Sequence, residues 1–129
     1  MLVNYKPDYE KIAMGFLSYE DDLKDLGNLQ TELQLYTTDD AHTLLLYRQD
    51  DGNFCGIIGL ECGGDFVLVR HLSLSPAVRN QETVNNMLDE LQVKVKDSKI
   101  MGSPETTPLI KKWRDTKKEQ SNAADPSAK

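Results

Sequence analysis

A chain of 129 residues provides for one hydrophobic core and not two, and its composition, 39% hydrophobic and 28% charged, is that of an ordinary globular protein. The net charge of -6 is uneven, with four basic and eleven acidic residues in 1–60 against eleven basic and ten acidic in 61–129. That balance excludes nucleic acid as an expected partner, since phosphate must be met by positive charge.

The acidic half could steer a cationic amine toward the protein, or serve only as a solvated surface. No run approaches the roughly 18 consecutive apolar residues of a membrane span. MLVNYKPDYE also lacks the basic and apolar regions of a signal peptide. No membrane partner is therefore expected, and the cytoplasm is the expected compartment.

In chain order, residues 2–5 predict a short strand ended by Pro7. Residues 8–18 predict a helix, because Tyr9, Ile12, Ala13, Phe16 and Leu17 recur at helical spacing. Glu20-Asp21-Asp22 suits the positive dipole end of a second helix whose stripe is Leu26, Leu29, Leu33 and Tyr36. Gly27 weakens that helix by about 1 kcal/mol relative to Ala.

Three consecutive antiparallel strands follow, at 43–48, 54–61 and 66–75. The first turn between them carries Asp51-Gly52, a positive-φ pair, and the second is Gly63-Gly64-Asp65. Residues 81–96 predict a helix with Val84, Met87, Leu88, Leu91 and Val95 on one face. A short strand at 98–102 precedes a last helix that begins at Ser103-Pro104 or Thr107-Pro108, the second being cleaner because an interior proline costs about 3 kcal/mol. The domain is expected to span 1–118, with 119–129 a disordered tail.

Cys55 and Cys62 lie seven residues apart in one strand-like segment. An odd separation puts them on opposite faces, which disfavours a disulfide, and two lone histidines leave a zinc site short of ligands. No metal site is expected.

This element order resembles the GNAT superfamily of acyl-CoA N-acyltransferases. The hairpin DDGNFCGIIGLE resembles its second and third strands, and HLSLSPAVR the end of its fourth strand. The opening LVNYK…YEKIAMGFLSY is similar to a group of small acetyltransferases encoded with riboflavin-biosynthesis genes in low-GC Gram-positive bacteria. The resemblance implies an α/β (α+β) fold with a central mixed, mostly antiparallel sheet flanked by about four helices. It implies an N-acetyltransferase moving an acetyl group from acetyl-CoA, as co-substrate, to a small-molecule amine.

On that pattern the fourth strand is splayed from the fifth, and Leu72, Ser73 and Leu74 offer backbone groups to pantetheine amides. Arg79, Asn80, Gln81, Glu82, Thr83 and Val84 form the loop and helix start that would hold the pyrophosphate. Two departures from the family accompany this assignment. The glycines of the family loop fall on Glu82 and Val84, and the last helix has Leu109-Ile110-Lys111-Lys112-Trp113 where many members place a tyrosine acid.

At about 6 Å and an effective dielectric near 20, each unit charge on phosphate would repel the Glu82 carboxylate by roughly 2–3 kcal/mol. Either acyl-CoA binding is weakened or lost, leaving a non-catalytic binding module, or Glu82 turns outward and Arg79, Asn80 and Gln81 keep the phosphate site. His71 and Glu61 are the candidate catalytic bases, each with a structural alternative. Arg70 is expected to alternate with His71 across the sheet. The basic cluster Lys111, Lys112, Arg114, Lys117 and Lys118 is either a solvated helix face or a contact for the CoA 3′-phosphate. The family's closing hairpin has no counterpart, so a second copy, giving a homodimer, or the C-terminal segment is expected to cover the sheet edge.

Overall fold

The computed structural model describes residues 1–124. Its strands are β1 (Leu2–Asn4), β2 (His42–Arg48), β3 (Phe54–Cys62), β4 (Phe66–Leu74) and β5 (Lys99–Gly102). The helices are α1 (Glu10–Leu17), α2 (Leu26–Thr38), α3 (Gln81–Lys94) and α4 (Thr107–Ala124). The sheet runs in the order β1-β2-β3-β4-β5; every pair is antiparallel except β4 with β5, which is parallel. The expected mixed, mostly antiparallel sheet with four helices is what the chain forms.

Both faces of the sheet are covered, which is why LLLY and GIIGL read as apolar runs rather than as a clean alternation. Leu44, Leu46 and Ile57 meet Phe16, Leu17, Leu29, Leu33 and Tyr36 from α1 and α2 on one face. Leu45, Ile58, Leu60, Val67 and Val69 meet Val84, Met87, Leu88, Leu91, Ile110 and Trp113 from α3 and α4 on the other. The hairpin glycine, Gly52, has φ 89°, as its turn requires.

The start of α2 and the end of α4 differ from the sequence reading. Glu20 lies outside any helix and the acidic cluster runs into a single 3-10 turn at Asp21–Leu23; Asp25 caps α2 instead, its Oδ1 accepting from Asn28 N at 3.1 Å. An oxygen cap one residue before Leu26 outcompetes the weaker dipole preference of the upstream acids. Of the two proline starts, α4 takes Thr107-Pro108, where the missing N–H needs no partner. This helix also continues through residues 119–124, which the sequence assigns to the tail; residues 125–129 of that tail lie outside the described residues. Both cysteines are free, Cys55 buried and Cys62 exposed. Among the described residues no helix is long and apolar enough to cross a membrane.

Candidate active site

The site begins where β4 parts from β5. Phe66–Val69 pair with Lys99–Gly102, and among the described residues no further strand pairs with β5. The Val69 carbonyl ends this ladder, accepting Ser103 N at 3.2 Å and the hydroxyl of buried Thr106 at 2.8 Å. Thr106 Oγ1 in turn accepts from Ser103 N at 2.9 Å, which ties the end of β5 to the start of α4. Gly102 lets these backbones meet, because a Cβ there would lie 2.9 Å from Thr107 N.

β4 itself continues, paired with β3 as far as Leu74. Ser75 N donates to Cys55 O at 2.8 Å on the β3 side. By strand alternation Ser73 also bonds toward β3, while Leu72 and Leu74 turn their N–H and C=O groups to the vacated side. These residues line a cleft of about 600 Å³.

The start of α3 forms the opposite wall. Asn80 caps the helix, its Oδ1 accepting from Thr83 N at 2.9 Å and Thr83 Oγ1 at 3.0 Å. This leaves the N–H groups of Gln81 and Glu82 without an acceptor at the positive helix end. Arg79 donates from Nε and Nη2 to the Leu74 carbonyl, at 3.2 and 3.0 Å, and lies 4.9 Å from the Tyr19 ring centroid. Arg79, Asn80, Gln81 and Val84 line the cleft, and Lys24 and Lys112 add two ammonium groups.

Glu82 and Thr83 do not line it. The Glu82 side chain is exposed in the first helical turn, so the repulsion expected from its position in the loop is not built into the cleft wall. Val84 is 3% exposed and packs in the core with Met87 and Leu88, so its branched side chain serves as an apolar floor. The last helix brings no tyrosine, but the segment after α1 brings Tyr19.

Glu20 lines the cleft, and its Oε1 accepts from Ser73 Oγ at 3.2 Å. Burial pushes the Glu20 carboxyl above its usual range, partly opposed by the Ser73 bond and reinforced by Asp22, Glu105 and Asp21. Glu20 also lines a smaller cavity of about 200 Å³ with Asp22, Arg70, His71, Ser103 and Glu105. Sequence reasoning misses Glu20, because a carboxylate in an irregular segment between two helices carries no spacing signal.

His71 is 8% exposed, and its Nδ1 lies 2.7 Å from the Tyr36 hydroxyl. Burial lowers the imidazole pKa and raises that of the Tyr36 phenol, so both are neutral. Gly59, across from His71, makes room for this pair; a Cβ there would lie 2.6 Å from Tyr36 Cζ. The expected alternation of Arg70 and His71 does not occur. Gly59 pairs with His71 and Leu60 with Val69, so Arg70 is the extra residue of a β-bulge. Both side chains thus contact Tyr36 on the same face, Arg70 at 5.5 Å from the ring centroid and joined to Glu32 at 3.1 Å. Glu61 is brought to neither cavity; its Oε1 lies 3.2 Å from His42 Nε2.

A mixed sheet that opens beside its fourth strand, with a helix tip and a basic rim facing the opening, defines the acyl-CoA N-acyltransferase class of fold. No protein-family model matches the chain. It is 32% identical over 113 residues to an uncharacterized N-acetyltransferase in the lysA 3′ region of Bacillus methanolicus, covering 87% of this chain and 93% of that relative. The chain belongs to the GNAT N-acetyltransferase family.

Solved structures share the fold at low identity. Aminoglycoside N-acetyltransferase AAC(6′)-Iy, in complex with a bisubstrate analogue of CoA, superposes with a TM-score of 0.68 at 12% identity, over 89% of this chain and 87% of that one. A ribosomal-protein-alanine N-acetyltransferase from Brucella melitensis gives 0.62 at 15% identity, over 85% and 87%.

Proposed function

We propose that the protein transfers an acetyl group from acetyl-CoA to a small-molecule amine, with the donor in the larger cleft and the acceptor entering from the smaller one. The observation that carries this is the parting of β4 from β5 at Val69, which turns Leu72 and Leu74 toward a cleft bounded by a helix N-terminus and by Glu20. Acetyl-CoA supplies an activated acyl carbon on a thioester. The backbone groups of Leu72 and the N–H of Leu74 suit the amides of its pantetheine arm, the Leu74 carbonyl being held by Arg79. Gln81 and Glu82 N–H, with Arg79, Lys24 and Lys112, suit its phosphates.

The chemistry requires an uncharged amine. Glu20 removes its proton, a role favoured by a carboxyl whose burial makes it more basic. The C–N bond forms as the C–S bond breaks, and the sulfur leaves with the electron pair. Tyr19, which lines the same cleft, is the phenol available to protonate it. His71 and Glu61 give way to Glu20 as base. His71 is held by Tyr36 and kept neutral by burial, and Glu61 faces His42.

A second copy of the chain over β5 is the proposed cover for that edge. Sedimentation tests it, and a monomer with rapidly exchanging β5 amides would contradict it.

Calorimetry with acetyl-CoA, followed by a thiol-release assay over a set of primary amines, tests the activity. Saturable binding and amine-dependent thiol release are expected. Absence of heat at millimolar acetyl-CoA would sink the proposal and favour a non-catalytic binding module.

A further inference from the structure

A base must hold its reactive oxygen against the proton it removes, and the backbone of Glu20 does not do this for the side chain. Glu20 N donates to Leu17 O at 3.0 Å, and its carbonyl accepts from Leu23 N at 3.0 Å. These bonds fix the main chain between α1 and α2 and leave the side-chain torsions free. Among the described residues one hydrogen bond reaches the carboxylate, from Ser73 Oγ to Oε1 at 3.2 Å. Oε2 is left to face the two cavities that Glu20 lines.

Ser73 itself is committed to this contact. The resemblance assigned it to the pantetheine arm, but it pairs with Ile57 and its backbone bonds toward β3. The residue is 6% exposed, so its hydroxyl has little freedom to turn elsewhere. Its face is set by the bulge at Arg70. In an unbroken alternation Ser73 would share the face of Val67 and Val69, which pack against α3 and α4. With the extra residue it shares the face of Ile57, which packs with Phe16 and Leu17. Ser73 also stands between Leu72 and Leu74, so its bond ties Glu20 to the strand whose open edge suits the coenzyme.

The other charged and titratable groups around Glu20 do not replace this contact. Burial is the largest influence on its carboxyl and raises the pKa; the Ser73 bond comes next and lowers it, and Asp22, Glu105 and Asp21 raise it further. On the β4 side Arg70 is joined to Glu32, and burial keeps His71 neutral. Tyr19, Lys24, Arg79 and Lys112 line the larger cleft, and none of them bonds to the Glu20 carboxylate.

Resting on the acetyl-transfer reading above, we infer that Ser73 is a positioning residue for the reaction: its hydroxyl holds Oε1 of Glu20 so that Oε2 faces the incoming amine beside the coenzyme edge. A hydroxyl donor also favours the carboxylate over the acid, so the same contact keeps the base in its working form.

Two measurements test this. The first follows the Glu20 carboxyl by carbon-13 NMR titration in the protein without acetyl-CoA. Ser73→Ala should move its midpoint to higher pH, and Ser73→Thr, which keeps the hydroxyl, should restore it. Ser73→Val, close in shape to Thr but without the donor, should behave as Ala and keeps the comparison readable where alanine unsettles the strand. The second is thiol release. Ser73→Ala should lower kcat roughly 10- to 100-fold and move the acid limb of the pH profile upward, with KM for acetyl-CoA changed less than about threefold. In a Glu20→Gln background the same change should cost less than about twofold more, because the two residues act as a unit.

An unmoved Glu20 midpoint in Ser73→Ala would overturn the inference, as would a valine variant that matches threonine or a full loss of rate that recurs in the Glu20→Gln background. A Glu20 midpoint that responds as described, in a protein that releases no thiol with any amine, would instead strike the acetyl-transfer reading and leave the hold of Ser73 on Glu20 standing.

Discussion

The two halves of β4 share one strand and one antiparallel partner, yet only the first half is closed on its other side. Phe66–Val69 are sealed by β5 and end in the Val69 carbonyl, which holds both Ser103 and Thr106. Beyond the bulge at Arg70 the strand keeps β3 and loses β5, and Leu72 and Leu74 face a cleft. The bulge also changes which side chains accompany the backbone. It sets His71 and Ser73 toward Tyr36 and Glu20, so the open backbone edge, left where β5 ends, lies beside a carboxylate bonded to the same strand. Unpaired backbone is a liability in an ordinary sheet edge, and here it is retained where a ligand's amides would complete the ladder.

The largest effect belongs to the open half. Glu20→Gln should lower kcat/KM for amine acetylation by roughly 10²–10⁴-fold, the usual contribution of a positioned base. Stability should hold or rise at neutral pH. The folded pKa of Glu20 is raised by burial, so its favourable contribution is present at acid pH and is lost as pH rises through that pKa; an uncharged amide removes the loss. In the wild type the rate should fall as pH drops and Glu20 takes up a proton. That acid limb should vanish in Glu20→Gln, and its persistence would assign the base elsewhere.

Thr106→Val probes the closed half. Removal of a buried hydroxyl that serves Val69 O and Ser103 N should cost about 1–3 kcal/mol in urea unfolding. The extra exchange it causes should concentrate at the β4–β5 junction. Arg79→Ala, at the rim of the open half, should weaken acetyl-CoA by about tenfold with little change in melting temperature, because this exposed guanidinium holds only Leu74 O and the Tyr19 face. The smallest change is expected from Glu82→Gln. Its outward-facing carboxylate should alter acetyl-CoA affinity by less than about threefold, whereas a carboxylate aimed into the cleft would change it by roughly two decades.

The closed half was the more legible in sequence. Alternation in FVLVRHLSL, the Gly-Gly turn before it and the Thr107-Pro108 helix start give β4, its neighbour and α4 within a few residues. Leu72, Ser73 and Leu74 as an open edge followed from resemblance alone, since nothing in an apolar alternation says that a parallel neighbour stops after four pairs. Arg70 and His71 were assigned to opposite faces because a bulge has no marker when its extra residue is neither glycine nor proline. Glu20 stayed hidden for a related reason. Its role depends on Ser73, 53 residues away, and no local pattern joins them. The expected conflict between Glu82 and phosphate came from aligning a loop by letters; a helix turns successive side chains by about 100°, and that rotation sends Glu82 outward while Val84 goes to the core.

Acetyl-CoA titration followed by amide NMR tests the central claim most directly. Saturable binding should shift and protect the Leu72 and Leu74 amides together with those of Gln81 and Glu82, while Val67 and Val69 in the closed half stay unchanged. Binding that leaves Leu72 and Leu74 untouched, or no binding at millimolar acetyl-CoA, would contradict the assignment of the open half of β4 as the coenzyme edge.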